Sequence, residues 1–274
     1  MPEPEPEPHS DLAATVPEKH GTGEQTTIEP ALIGPKMIAP WWHFVVFFLI
    51  VAGTLYSGWA AQQHAAEHPQ SSSAALAPSH PGASKAWLGA AAADLLFLLY
   101  CWAGVRGQGG NLLALSGGRW TTWQQLAGDI GVALPFWLVW EGVAYGVYWV
   151  LGPNQASAVF PLLPRTVAEA AAWVTLSLTA GFCEELIFRG YLQRQLLAIS
   201  GSVVAAVIGQ GLVFGLVHSY QGWKSVTVIA VLGILYGTLA ALRGNLRANI
   251  MSHAWSDIFE GWLKFLLLPR WFPS

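Results

Sequence analysis

The chain has 274 residues, of which 53% are hydrophobic and only 11% charged. Soluble domains carry about 25% charged residues, so this composition does not fit one and indicates a polytopic membrane protein. The net charge of −3 is unevenly spread, because seven of the 16 acidic residues lie in the first 30 positions. The remainder is mildly basic, which argues against nucleic acid as a partner.

Residues 1–38 read as a disordered tail. They open with Pro-Glu-Pro-Glu-Pro-Glu-Pro and continue with acidic and polar residues and few large apolar ones, which cannot bury enough surface to fold. The tail lacks the basic start and apolar core of a signal peptide. The first membrane helix is therefore expected to act as the targeting signal.

A bilayer span takes about 20 mostly apolar residues, and seven stretches qualify as candidates. The first runs from Pro40 to Ala61, with Trp41 and Trp42 placed for an interfacial belt. After a His/Ser/Pro/Ala-rich loop over 62–84, the second covers Ala86–Val105. A Gly-rich connector leads to the third, Asp129–Leu151, and a loop over Gly152–Pro164 follows. The fourth covers Val167–Phe188 and continues as an amphipathic stretch to Leu197. The last three are Val203–His218, Val226–Leu242 and a markedly polar Leu246–Leu268. The predicted fold is thus all-α: a transmembrane bundle of about seven helices with an N-terminal tail. With seven spans, eight of the thirteen Lys and Arg fall on the side of the N-terminus, which places that terminus in the cytoplasm. No internal repeat supports a transporter built from inverted halves.

Cys101 and Cys183 both fall within these stretches and form no CxxC pair. They read as inert buried thiols, and a thiolate zinc site is not expected. His64-Ala-Ala-Glu67-His68 matches the inverted zincin pattern, but it sits in an Ala/Ser/Pro-rich loop and reads as a chance match. His43, Asp94 and Glu141 are lone ionisable groups, assigned to pairing or to interfacial positions.

Three helices carry groups that lipid rejects. The fourth holds Glu184, Glu185 and Arg189; the fifth holds Gln210, Phe214 and His218. On the seventh, Asn245, Asn249, His253 and Asp257 recur every fourth residue, flanked by Ser252, Ser256 and Glu260. Such a stripe faces the bundle interior or a wet cavity. Glu185 and Arg189 stand four apart on one helical face, the spacing of an ion pair. Glu184 points about 100° away around the helix and is left to face something else. Gly211/Gly215 and Gly233/Gly237 form two GxxxG pairs, which let helix backbones approach closely.

Peptide-bond hydrolysis needs a base to activate water and donors to stabilise the oxyanion. Glu184 suits the base, and His218 can share the water. His253 can stabilise the oxyanion, oriented through its ring N–H by Asp257 one turn along. No GxSxG and no HExxH occurs, so neither a hydrolase elbow nor a zincin helix is at hand.

Glu184-Glu185-x-x-x-Arg189, Phe214-x-x-x-His218 and His253-x-x-x-Asp257 together resemble, in order and spacing, the three signature motifs of the CPBP intramembrane proteases. That family includes the type II CAAX prenyl endopeptidases and the bacterial Abi proteins. The resemblance covers residues 166–268, a catalytic transmembrane core, whereas residues 39–165 form N-terminal transmembrane helices without a match. It implies a membrane endopeptidase with Glu184, His218, His253 and Asp257 as catalytic groups. Glu185, Arg189, Phe214 and Asn249 would support them. The CAAX prenyl endopeptidases carry Asn at the last position; Asp257 resembles the broader prokaryotic pattern and, ionised, only accepts hydrogen bonds. The expected partners are the lipid bilayer and a membrane-associated protein or peptide substrate. The expected location is a plasma membrane of bacterial type. Glu184, His218 and His253 are also the ligand types of a His2Glu zinc site. The reading without a metal accounts for Glu185–Arg189 as a brace and is preferred.

Two other functions compete. A transporter would spread polar residues through the depth of many helices, and the first three helices do not show this. A non-catalytic scaffold or immunity protein of the same fold would be free to lose the motifs, which are intact here.

Overall fold

Thr166 and Glu169 start the helix that the others pack around. They form a reciprocal capping box: the Glu169 N–H donates to Thr166 Oγ1 and the Thr166 N–H donates to Glu169 Oε2, each at 3.2 Å. Two otherwise orphaned donors are satisfied and the first turn is fixed. The computed structural model describes residue 1 and residues 36–67, 82–152, 163–164 and 166–263. Nearly all of the expected tail, most of the 62–84 and 152–164 loops, His68, and the seventh helix beyond 263 lie outside the described residues.

Among the described residues there are seven helices and no strand. In chain order they are α1 (Trp41–Glu67), α2 (Ala83–Gly107), α3 (Trp123–Leu151), α4 (Val167–Ser200), α5 (Val203–Val217), α6 (Trp223–Arg243) and α7 (Arg247–Ile258). Short 3-10 turns at Leu113–Ser116 and Ser219–Gln221 link some of them, and α7 runs on into a π turn, Phe259–Leu263. Five helices, namely α1 to α4 and α6, are long and apolar enough to cross a bilayer; α5 is apolar but shorter. With its apolar helices and exposed tryptophans, among them Trp41, Trp42, Trp59, Trp149 and Trp223, this is an integral membrane protein. Aromatic rings of this kind favour the interface.

Helix α3 begins two turns before the apolar stretch suggests. Thr122 caps it, accepting from the Gln125 N–H at 3.3 Å, so the polar Gln124 and Gln125 are helical although their hydropathy alone argues otherwise. Asp129 then lies inside the helix, almost fully buried. It accepts from Trp120 Nε1 (2.7 Å) and pairs with Arg243 (2.5 Å) and Arg247 (2.9 Å). This cluster ties α3 to the tight turn between α6 and α7.

Helix α4 is α-helical to Glu184, π-helical over Glu185–Leu192, and α-helical again to Ser200. Every residue of the π segment is buried, as a helix surrounded by other helices requires. Rare π segments occur often at functional sites. The segment is held from several sides. Ile38 and Ala39 N–H groups donate to Gln195 Oε1, and Gln195 Nε2 donates back to the Ala39 carbonyl. His43 accepts from the Tyr191 hydroxyl at Nδ1 (2.8 Å) and donates from Nε2 to the Tyr100 carbonyl (3.0 Å). His43 is therefore paired, as expected; Glu141 accepts from Trp137 Nε1 at 3.0 Å.

The two GxxxG pairs meet. A Cβ on Gly233 would stand 2.7 Å from Gly211 Cα, and one on Gly215 would stand 2.6 Å from the Val226 carbonyl oxygen. Only glycine allows α5 and α6 this approach. Gln210 seals the same seam, its Nε2 donating to the Gly233 carbonyl at 2.7 Å. Helices α4 and α7 are equally close: a Cβ on Gly181 would lie 2.7 Å from the Ala254 nitrogen.

Candidate functional site

The three motif segments converge where α4, α5 and α7 meet. The centre is the fully buried Glu185 carboxylate. Its Oε1 accepts from Arg189 Nη1 (2.8 Å) and from His253 Nδ1 (2.9 Å); its Oε2 accepts from Asn249 Nδ2 (3.1 Å). Arg189, also fully buried, donates from Nη2 to the Gly233 carbonyl at 3.3 Å and lies over the rings of Phe214 (4.3 Å) and Tyr236 (5.4 Å). Asn249 Nδ2 also donates to the Tyr236 carbonyl at 2.8 Å. A buried ion pair is tolerable only when its remaining hydrogen-bonding capacity is largely met; α4, α6 and α7 meet most of it here, and Arg189 Nε is left without a hydrogen-bond partner.

This brace fixes the His253 ring. A carboxylate only accepts, so Nδ1 carries a proton and points it at Glu185. The ring stacks on Tyr236 at 5.5 Å and meets the Phe214 edge at 5.9 Å. Tyr236 in turn donates its hydroxyl to Ser252 Oγ at 3.0 Å. Nε2 is thereby aimed at two carboxylates, Glu184 Oε2 at 3.7 Å and Asp257 Oδ2 at 3.8 Å. Both exceed hydrogen-bond distance. The expectation that Asp257 orients His253 through a ring N–H is met by a different residue: Glu185 makes that bond, and Asp257 flanks the opposite nitrogen.

Accessibility rises in one direction across the cluster. Side-chain exposure is 0% at Glu185, 5% at His253, 16% at Glu184 and 36% at Asp257. Bracing groups are thus dry, and the two carboxylates around Nε2 stand on the open side.

His218 caps α5 and turns its ring against Phe214, edge to face at 5.0 Å. Its Nδ1 donates to the Phe214 carbonyl at 2.8 Å. A carbonyl cannot donate, so Nε2 is the nitrogen left with a lone pair in the neutral ring. Phe214 therefore touches both imidazoles and the Arg189 guanidinium.

Helix α7 is held from outside the cluster by Trp173 of α4, whose indole N–H donates to the Asp257 carbonyl at 2.8 Å. A Cβ on Gly261 would overlap that indole. Nothing in the residue pattern singled Trp173 out. Asp94 of α2 is half-buried, and its carboxylate interacts electrostatically with Glu184, Asp257 and His253. Its signal in the sequence was a lone acid on an otherwise apolar helix.

Among the described residues, no group of three or more His, Cys, Asp or Glu side chains is arranged to hold a metal ion. His64 and Glu67 are exposed on the last turn of α1, far in sequence from these groups. An apolar cavity of about 180 Å³ lies between α3 and α7, lined by Ile130, Ala133, Leu134, Met251, Ser252 and Trp255. It contains no acid or imidazole.

No curated protein and no solved structure shows significant similarity to the chain. Residues 166–259 match the family model described as type II CAAX prenyl endopeptidase Rce1-like. That segment, about a third of the chain, contains Glu184, Glu185, Arg189, Phe214, His218, Asn249, His253 and Asp257, so the match takes in all three motifs.

Proposed function

We propose that this protein is an intramembrane endopeptidase that hydrolyses a peptide bond of a membrane-associated protein, using water activated by Glu184. One observation carries the reading. A dry brace (Glu185, Arg189, Asn249) fixes the His253 ring so that Nε2 meets the more accessible carboxylates of Glu184 and Asp257.

In this mechanism Glu184 accepts a proton from water as the oxygen attacks the scissile carbonyl. His218 accepts a second water hydrogen bond at Nε2, since its Nδ1–H is committed to the Phe214 carbonyl. His253 donates from Nε2 to the developing oxyanion. The two carboxylates near Nε2 favour a proton there while Nδ1–H remains on Glu185. Asp257 supports His253 by its charge rather than by a direct bond. Preorganised donors of this kind contribute about 3–4 kcal/mol each to transition-state stabilisation.

The segments 39–165 and 166–268 serve as helical scaffold and catalytic core in this reading. The protein would sit in a bacterial plasma membrane with its N-terminus in the cytoplasm, acting on a membrane-anchored or C-terminally signalled substrate. No metal is needed; zinc held by Glu184, His218 and His253 is the alternative. The test is cleavage of a membrane-anchored peptide library by wild type and Glu184→Gln, with and without a strong chelator. The expected result is activity that survives chelation and disappears in the variant. Activity removed by chelation and restored by zinc would replace the glutamate mechanism by the metal one. Equal cleavage by the two proteins would remove Glu184 from the reaction.

A further inference from the structure

All groups given roles so far lie in the segment that matches the family model. Helix α2 lies outside it and contributes a carboxylate. Two contacts define how α2 runs beside α4. Near its start, Trp87 meets Trp173 edge to face at 5.5 Å. Near its end, the Tyr100 carbonyl and the Tyr191 hydroxyl bind opposite nitrogens of one His43 ring. The helices therefore run parallel over this length, Trp87 to Tyr100 of α2 lying beside the longer stretch Trp173 to Tyr191 of α4.

Along this side α2 presents a stripe of buried residues that continues past the second contact: Trp87, Ala91, Leu98, Cys101 and Val105. Asp94 lies on that stripe, one turn from Ala91 and one from Leu98. Interpolation between the two contacts sets it opposite the turn of α4 that carries Gly181, Cys183 and Glu184. The electrostatic neighbours of its carboxylate agree with this placement: Glu184 and Cys183 on α4, Asp257 and His253 on α7, and Tyr220 on the short turn after α5.

With Glu185 paired to Arg189, the three other carboxylates near His253 in a membrane-embedded cluster are not all ionised at once, because like charges in a poorly hydrated place repel. The mechanism above requires that one of them carry a proton. Glu184, as the base, must start ionised, and Asp257 supports His253 by its charge. We propose that Asp94 is a further catalytic residue, the acid that protonates the leaving amine; this rests on the glutamate mechanism above. Water oxygen bonds to the carbonyl carbon while Glu184 takes the water proton. The tetrahedral intermediate then breaks its C–N bond as the Asp94 O–H proton passes to nitrogen. An acid and an amine leave, and the proton on Glu184 returns to Asp94.

An amide nitrogen must be protonated to leave, whereas a thiolate leaves without a proton. The test therefore compares two forms of one peptide, the best-cleaved member of the membrane-anchored library. One form has the natural amide; the other has a thioester at the scissile bond. Asp94→Asn, nearly the same shape, should lower kcat on the amide by about 10²–10⁴-fold, the range of general acid catalysis, with KM unchanged. Its thioester hydrolysis should stay within about threefold of wild type, a differential that a structural role cannot produce. Asp94→Glu keeps a proton donor and should retain part of the amide activity, which keeps the test valid if the Asn variant folds poorly. An equal loss on both substrates, or no loss on the amide, overturns the assignment. Glu184→Gln is run alongside: it should abolish both reactions, and if it does not, the glutamate mechanism itself has failed.

Discussion

His253 donates its Nδ1–H to Glu185 Oε1 at 2.9 Å, and that oxygen also accepts from Arg189 Nη1 at 2.8 Å. The imidazole is therefore set by the ion pair beside it. Because Glu185 and Arg189 are fully buried, whatever disturbs their pairing disturbs the reactive side of the ring as well.

Arg189→Met should destabilise the protein by about 3–5 kcal/mol, the cost of leaving a buried charge without its partner. Adding Glu185→Gln should recover part of that loss, because the orphaned charge is gone. Unfolding midpoints in detergent for the two single variants and the double variant measure the coupling. Additive losses would show that the pair does not act as a unit.

Gly181→Ala should cost about 1–3 kcal/mol through overpacking. The new Cβ would meet the Ala254 nitrogen at 2.7 Å and its Cα at 2.9 Å, and backbone cannot step aside as a side chain can. Helices α4 and α7 must separate, which carries Glu184 away from His253. A misplacement of about 1 Å can cost about 10²-fold in rate, so turnover should fall further than stability does. A lower melting temperature with unchanged turnover would show that this spacing does not set the reactive geometry.

Asp129→Asn should destabilise by about 2 kcal/mol, less than a fully buried pair would, because Arg243 and Arg247 still reach solvent. The cluster lies at the turn between α6 and α7, on the other side of the α7 start from His253. Turnover per folded molecule should stay near wild type. A selective loss of turnover would instead mean that the start of α7 transmits to the reactive groups.

Much of this architecture is legible in residue type and period alone. Apolar stretches of bilayer length mark α1 to α4 and α6, and Glu185 and Arg189 are recognisable as a pair from their spacing of four. The GxxxG pairs mark the α5–α6 seam, and the three motifs pick out the residues that meet. Helix ends are less legible where polar residues are included: hydropathy starts α3 at Asp129, whereas the Thr122 cap starts it at Trp123.

Other features exist only once the helices are packed. Spacing of four along α7 makes Asp257 the natural partner of the His253 ring. Packing against α4 instead delivers Glu185 to Nδ1 and leaves Asp257 beside Nε2. Local sequence cannot rank a partner one turn away against one 68 residues away, since only the crossing of the helices decides which is nearer. Asp94 and Trp173 are further cases: a lone acid and a lone indole on separate helices acquire meaning from the register of α2 on α4 and of α4 on α7. Composition and period determine that this chain forms helices and which of their faces repel lipid; the depth and rotation at which those faces meet are set by the glycine contacts and buried hydrogen bonds of the assembled bundle.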